Sequence, residues 1–326
     1  MKILVTGGAG YIGSHMVKYL LKKDHDITVY DNLSSGKLKY GNNVNFKKLD
    51  LTDIKKLERV MCNSEFDAVF HFAGLSIVRD SQKNPKKYYL NNVLATKNLV
   101  NTMIKNKINN FVFSSSASVY GKPSSNKISE THNMKPISEY GKNKKEIEKF
   151  LYKLGKKKNF KSLSFRYFNA AGADESANIG ENHYPETHLI PRILKSVRKN
   201  KLKVYVYGRN YKTKDGTCIR DYIHVSDISE IHYKILLKID KKNISKIVNC
   251  GYGKGVSVKD VVNEFRKYAN KNLKIIEYSK REGDMVKVIS DNRKLKKFIN
   301  WKPKYNNLGK IIKTCLNWEK NFNNIK

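Results

Sequence analysis

The sequence predicts a doubly wound α/β fold, a parallel sheet with helices on both faces, followed by a smaller α/β lobe. Three observations predict it. Short β-branched and aromatic runs alternate with amphipathic helical segments through the first half of the chain. The first run, Ile3-Leu4-Val5, leads straight into a glycine-rich turn and then a helical pattern. After Asn169 the alternation gives way to residues 170–186, rich in Ala, Gly, Glu and Asn with Pro185, which reads as a crossover loop.

The elements follow in order. Residues 2–6 read as a strand and 11–23 as a helix, followed by strands at 27–31 and 44–48, a helix at 53–62 and a strand at 67–71. Pro85 opens a helix expected from about Lys86 to Lys105. Strand 110–115 carries Phe111-Val112-Phe113, and a long helix from about Tyr140 to Lys157 precedes strand 162–167. Strands spaced by helices imply right-handed βαβ crossovers and a parallel sheet. Beyond the loop, a helix at about 189–199 and a strand at 202–207 follow, and 245–250 reads as a strand returning to the main sheet. The amphipathic segment 307–322 is expected to pack against the body. The expected domains are 1–169, with the return of 245–256, and 170–326.

Composition narrows the class. The 326 residues are 40% hydrophobic and 11% aromatic, enough for a folded two-lobed globule. No apolar run approaches the ~20 residues of a membrane span. Met1-Lys2 enters the first strand directly, unlike a signal peptide, so a cytoplasmic protein with no membrane partner is expected. The net charge of +36 raises the question of nucleic acid. Only ten of the 65 basic residues are Arg, and Lys is spread along the chain, as in Lys55-Lys56, Lys86-Lys87 and Lys144-Lys145. A nucleic-acid groove favours Arg clustered among aromatics. The charge therefore reads as solvated faces, and no nucleic-acid partner is expected. Cys62, Cys218, Cys250 and Cys315 are scattered and read as reduced thiols. No histidine pair has metalloenzyme spacing, and no metal is expected.

The turn Gly7-Gly8-Ala9-Gly10-Tyr11-Ile12-Gly13 has the strand before it and the helix after it that a Rossmann dinucleotide site needs. Gly7, Gly10 and Gly13 permit a tight turn, close approach of backbone to a pyrophosphate, and close helix–strand packing. Asp31 closes the second strand 18 residues beyond Gly13. A carboxylate there accepts from the adenosine ribose hydroxyls and repels a 2′-phosphate, so NAD is the expected cofactor.

Tyr140 and Lys144 stand at i and i+4, on one helix face. A free Tyr has a pKa of about 10, and a neighbouring ammonium favours its phenolate. The run Ser114-Ser115-Ser116 ends a sheet strand, where doubly wound sheets place their ligands, and a serine hydroxyl there can bridge Tyr140 and a substrate oxygen. Tyr140, Lys144 and Ser116 are the candidate catalytic residues.

Together these motifs resemble the UDP-glucose 4-epimerases of the extended short-chain dehydrogenase/reductase superfamily. The resemblance rests on Thr6 to His15, His71-Phe72-Ala73-Gly74, Ser116 with Val119-Tyr120-Gly121, Tyr140/Lys144, Arg166-Tyr167-Phe168-Asn169, Asp215-Gly216-Thr217, Arg220-Asp221-Tyr222-Ile223-His224-Val225, and Arg281-Glu282-Gly283-Asp284. These occur in family order over nearly the whole chain. The resemblance implies that Tyr11, Ile12, Asp31 and Asn32 contact NAD and that Asp50 and Leu51 meet the adenine. Phe72, Ala73, Gly74, Asn91, Lys144 and Phe168 would line the nicotinamide side. Ser116 and Tyr140 would face the sugar, and Asn169, Leu189, Arg220, Arg281 and Asp284 would hold the UDP. A homodimer through the helices at about 86–105 and 140–157 is also implied.

The implied reaction is epimerisation at C4 of a UDP-hexose, UDP-galactose or UDP-glucose, through a transient 4-keto sugar. Forked guanidinium donors suit a nucleoside diphosphate. A UDP-N-acetylglucosamine or UDP-glucuronate 4-epimerase is the alternative, and the small Val288 near the sugar pocket leaves room for an N-acetyl group. A 4,6-dehydratase needs an acid–base pair directly after the serine, where Ala117-Ser118 stand. Ser76 and His188 depart from residues often found at their positions, so a cofactor contact at the first and a sugar contact at the second stay open.

Overall fold

Ile3, Leu4 and Val5 are wholly buried, and they form an interior strand of a seven-stranded sheet. The computed structural model describes residues 1–37, 43–125, 127–158, 160–182, 185–238, 245–281 and 284–322. The first elements are β1 (Lys2–Thr6), α1 (Tyr11–Leu21), β2 (Asp26–Asp31), β3 (Asn45–Lys48), α2 (Ile54–Met61), β4 (Ala68–His71), α3 (Val78–Lys83) and α4 (Pro85–Tyr89). A π turn (Leu90–Leu94), α5 (Ala95–Lys105), β5 (Asn110–Ser116), a 3-10 turn (Ala117–Tyr120), β6 (Lys127–Ile128), α6 (Glu139–Lys158) and β7 (Lys161–Tyr167) follow. Next come β8 (Asn169–Ala171), α7 (Leu189–Arg198), β9 (Lys203–Tyr207), β10 (Ile219–Arg220), β11 (Tyr222–His224), α8 (Val225–Leu236) and β12 (Ser245–Cys250). The chain closes with β13 (Val256–Ser257), α9 (Val258–Ala269), β14 (Lys274–Tyr278), β15 (Lys287–Ser290), α10 (Arg293–Ile299) and α11 (Leu308–Phe322).

The large sheet has the order β12-β7-β5-β4-β1-β2-β3. The chain lays β1, β2 and β3 in one direction and then returns to β4 on the other side of β1, each pair parallel. The order reverses between β1 and β4, and the carboxyl ends of these two strands form the switch point where ligands of such sheets bind. One face of the sheet packs Leu4, Val69, Phe111 and Phe113 against Leu99 and Met103 of α5 and Ile147 and Leu151 of α6. Each such side chain contributes about 1.5–3 kcal/mol by leaving water. This core fixes α6 against the strand that ends in Ser116.

Two compact units make up the chain. The first comprises Met1–Pro123, Glu130–Tyr167 and Ser229–Val248, and the second Ser124–Ser129, Phe168–Ile228 and Asn249–Lys326. The crossover thus falls just before Phe168, and the chain re-enters the first unit at Ser229, earlier than its sequence suggested. Ser245–Cys250 joins the large sheet beside β7, whereas Val256–Ser257 pairs with β10 in a four-stranded sheet of order β13-β10-β15-β6. The helix expected from 86 to 105 is interrupted by the π turn at Leu90–Leu94. In the second unit α11 buries Ile311, Ile312, Cys315 and Trp318 and packs on α7 and α9. No described helix is long and apolar enough to cross a membrane.

Candidate active site

Gly7 ends β1 with φ +71°, and a Cβ on it would lie 2.4 Å from the Ala73 nitrogen. Only glycine lets this turn sit against the loop after β4. At Gly13 a Cβ would lie 2.1 Å from the Gly7 carbonyl oxygen, so helix α1 reaches the turn only without a side chain there. Gly10 is the N-cap of α1, with no side-chain cap and no acid in the first turn, which leaves the positive end of the helix to an anionic ligand. Asp31 accepts from the Ala9 nitrogen at 3.0 Å and the Leu33 nitrogen at 2.8 Å, tying the end of β2 to the glycine turn. The Asn32 amide donates to Asp50 at 2.9 Å. Burial raises the Asp50 pKa, but hydrogen bonds from Thr52 and Asn32 outweigh it and hold the carboxyl below its usual range. Leu51 beside it is buried. Tyr11 and Ile12 open α1 directly after the turn.

Phe72, Ala73 and Gly74 follow β4 at the switch point. The buried Asn92 side chain, inside the π turn, clasps this loop: its oxygen accepts from the Leu75 nitrogen at 2.7 Å and its amide donates to the Leu75 oxygen at 2.8 Å. The neighbouring Asn91 instead donates to the Lys87 carbonyl at 2.9 Å. Thr96 donates to the Asn92 carbonyl at 2.7 Å and so accepts from His71 Nε2 at 2.8 Å, which leaves His71 Nδ1 to accept from the Thr6 hydroxyl at 2.6 Å. Burial, assisted by the Lys144 charge, pushes the His71 pKa down to about 3, so the ring is neutral. Sequence reasoning missed Asn92. Its signal is adjacency to Asn91 in a helix whose register a π turn has shifted.

Ser116, Tyr140 and Lys144 come together in the first unit. Lys144 is buried, donates to the Ser114 carbonyl at 2.7 Å, and lies 5.6 Å from the centroid of the Tyr140 ring. Burial lowers its pKa to about 8, against the charge of Glu148, so the ammonium form prevails at neutral pH. Burial pushes Tyr140 up to about 12, and its hydrogen bond with Ser116 acts in the opposite direction. Ser116 also accepts from the Ser118 nitrogen at 3.1 Å. Below Lys144 lies a buried cluster that sequence reasoning missed. Glu148 accepts from Ser115 Oγ at 2.6 Å and from Arg166 at 2.9 and 2.6 Å.

In the second unit, Arg220 donates to Asp284 at 2.6 Å and to the Met285 carbonyl at 2.8 Å. Arg281 stacks on Tyr207 at 3.7 Å, and its hydrogen bond keeps the Tyr207 pKa below the usual value. Glu282 and Gly283 between these residues lie outside the described residues. Asn169 donates through its amide to the Asp221 carbonyl at 3.2 Å, and Phe168 precedes it. Asp221 is fully buried and accepts from the nitrogens of Tyr252, Gly253 and Ser290, fixing the chain beside Arg220. Val288 is buried on β15 opposite Arg220. Leu189 begins α7 after His188. Among the described residues, Glu181, Glu186 and His188 form the one group close enough to share a cation. Burial opposes charge on His188, yet the two carboxylates raise its pKa to about 10, so it acts as their cationic partner.

Known proteins resemble this chain in sequence and in fold. A sequence model of the "NAD dependent epimerase/dehydratase family" matches residues 3–251. The chain is 39% identical over 308 residues to a UDP-glucose 4-epimerase of Halalkalibacterium halodurans, spanning 94% of this chain and 92% of that one. A crystal structure of a UDP-glucose 4-epimerase superposes with a TM-score of 0.96 at 38% identity, covering 99% of both chains. That of the Brucella ovis UDP-glucose 4-epimerase in complex with NAD superposes with a TM-score of 0.92 at 35% identity, covering 97% of both.

Proposed function

The chain belongs to the NAD dependent epimerase/dehydratase family, and from that premise we infer that Tyr140, Lys144 and Ser116 epimerise a UDP-hexose at C4. The activity is NAD-dependent UDP-hexose 4-epimerisation. The carrying observation is the buried Lys144 ammonium 5.6 Å from the Tyr140 ring, on one face of α6, with Ser116 close enough to lower the pKa of the phenol. The glycine turn, the uncapped start of α1, and Asp31, Asn32 and Asp50 fit a dinucleotide. The first unit is thus assigned to NAD and the second to UDP.

NAD held by the glycine turn and by Asp31, Asn32 and Asp50 would supply a reversible hydride acceptor for C4 of the sugar. Tyr140 accepts the proton of the 4-hydroxyl and later gives it back. Ser116 orients that hydroxyl. Burial disfavours the Tyr140 phenolate and the Ser116 hydroxyl favours it; an ammonium beside the ring, as Lys144 is, acts in the same direction as Ser116. Phe72, Ala73 and Gly74, held by Asn92, shape the nicotinamide side with Asn91 and Phe168. Arg220, oriented by Asp284, and Arg281, braced on Tyr207, pair with the diphosphate, while Asn169 and Leu189 complete the UDP contacts. Anchoring by UDP lets the sugar turn between the two half-reactions.

UDP-galactose and UDP-glucose are the proposed pair, with galactose metabolism as the proposed setting. Purified protein mixed with UDP-galactose and no added NAD is expected to form UDP-glucose. Turnover of only N-acetyl or uronate sugars refutes the substrate assignment. Four free cysteines accord with the cytoplasm. Tyr89, Leu90 and Leu94 on the α4–α5 stretch and Tyr152 on α6 are exposed large apolar residues, which supports a homodimer through these helices. Light scattering should give a dimer that Leu90→Glu/Leu94→Glu converts to monomer. A monomeric parent refutes this assembly.

A further inference from the structure

We propose that Glu148 is a positioning residue of the reaction: its buried carboxylate, gripped by Arg166 and Ser115, holds the charge of Lys144 in place beside Tyr140. The inference rests on the catalytic reading of Tyr140 and Lys144. Glu148 and Arg166 are 2% and 1% exposed. Burying an ion pair seldom stabilises a fold more than apolar packing of the same volume does. The pair therefore calls for another explanation, and its placement supplies one.

Glu148 stands one helical turn beyond Lys144, which stands one turn beyond Tyr140, so the three share a face of α6. The carboxylate is fully engaged: Ser115 Oγ and Arg166 Nε donate to one oxygen, and Arg166 Nη2 to the other. Ser115 lies between Ser114, whose carbonyl holds the Lys144 ammonium at 2.7 Å, and Ser116, the candidate sugar contact. One side chain thus ties the strand end that carries Ser116 to the helix that carries Tyr140 and Lys144. Arg166 anchors it to β7 and donates onward to Tyr120 at 2.8 Å.

The charges around Lys144 are assignable. Tyr140 and Glu148 face it from its own helix and His71, neutral, from β4. Tyr88 of α4 lies toward Tyr140, with Asp80 of α3 beside Tyr88. Arg166 of β7 and Tyr120 of the 3-10 turn bond into the Glu148 cluster. Glu148 is the charge that supports the ammonium. Without it the lysine gives up its proton at lower pH, and Tyr140 loses the cation that favours its phenolate.

The test compares the pH dependence of kcat on UDP-galactose for the parent holoenzyme, Glu148→Gln and Glu148→Gln/Arg166→Met. Glu148→Gln leaves Arg166 buried without its acid and is expected to be poorly folded. The double variant removes both charges and keeps the volume. It should fold, retain NAD and keep KM within about twofold, while the alkaline midpoint of kcat falls by roughly half a pH unit, less than loss of the acid alone would give because the Arg166 cation leaves with it. A purely structural pair would lower stability and leave that midpoint unmoved. A folded double variant with the parent's midpoint overturns the proposal. Ser115→Ala, which keeps the charge, serves as a second probe: kcat should fall several-fold with KM and midpoint unchanged, and full parental kcat overturns the positioning role. A parent inactive on every UDP-hexose refutes the epimerase reading instead, and is distinguished by that control alone.

Discussion

Lys144→Met should stabilise the fold while abolishing activity, and the size of the gain follows from the structure. Lys144 is 6% exposed, and burial lowers its pKa from 10.5 to about 8. At about 1.4 kcal/mol per pKa unit, the charged lysine costs the folded state about 3 kcal/mol. Methionine has nearly the same length and no charge to desolvate. It forfeits the charge-assisted hydrogen bond to the Ser114 carbonyl, worth about 1.5–2 kcal/mol, so a net gain of about 1 kcal/mol remains. The pH dependence fixes the cause. Below pH 8 the lysine is protonated in both folded and unfolded chains, and the penalty is present in full. Between pH 8 and 10.5 the folded lysine releases its proton while the unfolded one keeps it, so the parent regains stability with rising pH. Denaturant midpoints of both proteins, freed of nucleotide, should therefore differ most near pH 7 and converge toward pH 10. A variant less stable than the parent at pH 7, or a gain that does not shrink above pH 8, refutes the reasoning.

Other residues give sharper functional readouts. Tyr140→Phe removes the group that moves the proton and should lower kcat by about 10²–10⁴-fold with NAD still bound; a parental rate discards the mechanism. Gly7→Ala forces a Cβ to 2.4 Å from the Ala73 nitrogen at φ +71°. It should yield protein largely stripped of NAD and destabilised by more than ~1 kcal/mol, judged by nucleotide released on denaturation and by melting. Arg220→Met leaves Asp284 without its cation and should raise KM for UDP-galactose by about tenfold or more with a smaller effect on kcat. An unchanged KM removes Arg220 from the UDP site.

What the sequence discloses is what residue type and spacing encode locally. The turn at 7–13 is legible because a backbone that must approach a helix and a ligand excludes side chains, and that exclusion is written as glycine. Tyr140 and Lys144 are legible because four residues make one helical turn. Glu148 obeys the same spacing, yet it stands in a helix dense with Lys and Glu, where one more charge reads as solvated. Its burial depends on Arg166, which comes from β7 and is set across from it by sheet pairing. Asn92 is hidden for another reason: the π turn breaks the 3.6-residue period by which a buried helical face is found. β10, β11 and β13 are two or three residues long, too short to display alternation. The run from Arg220 to Val225 is distinctive in sequence largely because it is buried in the second unit. Asp221 and His224 are fully enclosed, and His224 stacks on Tyr305 at 4.0 Å. Arg220 is its candidate ligand contact.

Helix α6 shows how catalysis and folding constrain the same residues. Along one face it presents a phenol, an ammonium and a carboxylate, one turn apart, with a guanidinium from β7 beyond. Glu148 answers Arg166 directly and offsets part of the cost of burying Lys144. The core therefore holds a buried lysine at a reduced cost, and Tyr140 still faces a cation. The spacing is as binding as the composition. Successive helical residues are rotated by about 100°, so an acid at position 147 or 149 would leave this face and reach neither Ser115 nor Arg166. Moving the acid to 149 in a Glu148→Lys/Lys149→Glu exchange keeps composition and net charge. It should nevertheless lose activity and stability together, because two cations would then stand against Arg166 with no acid between them.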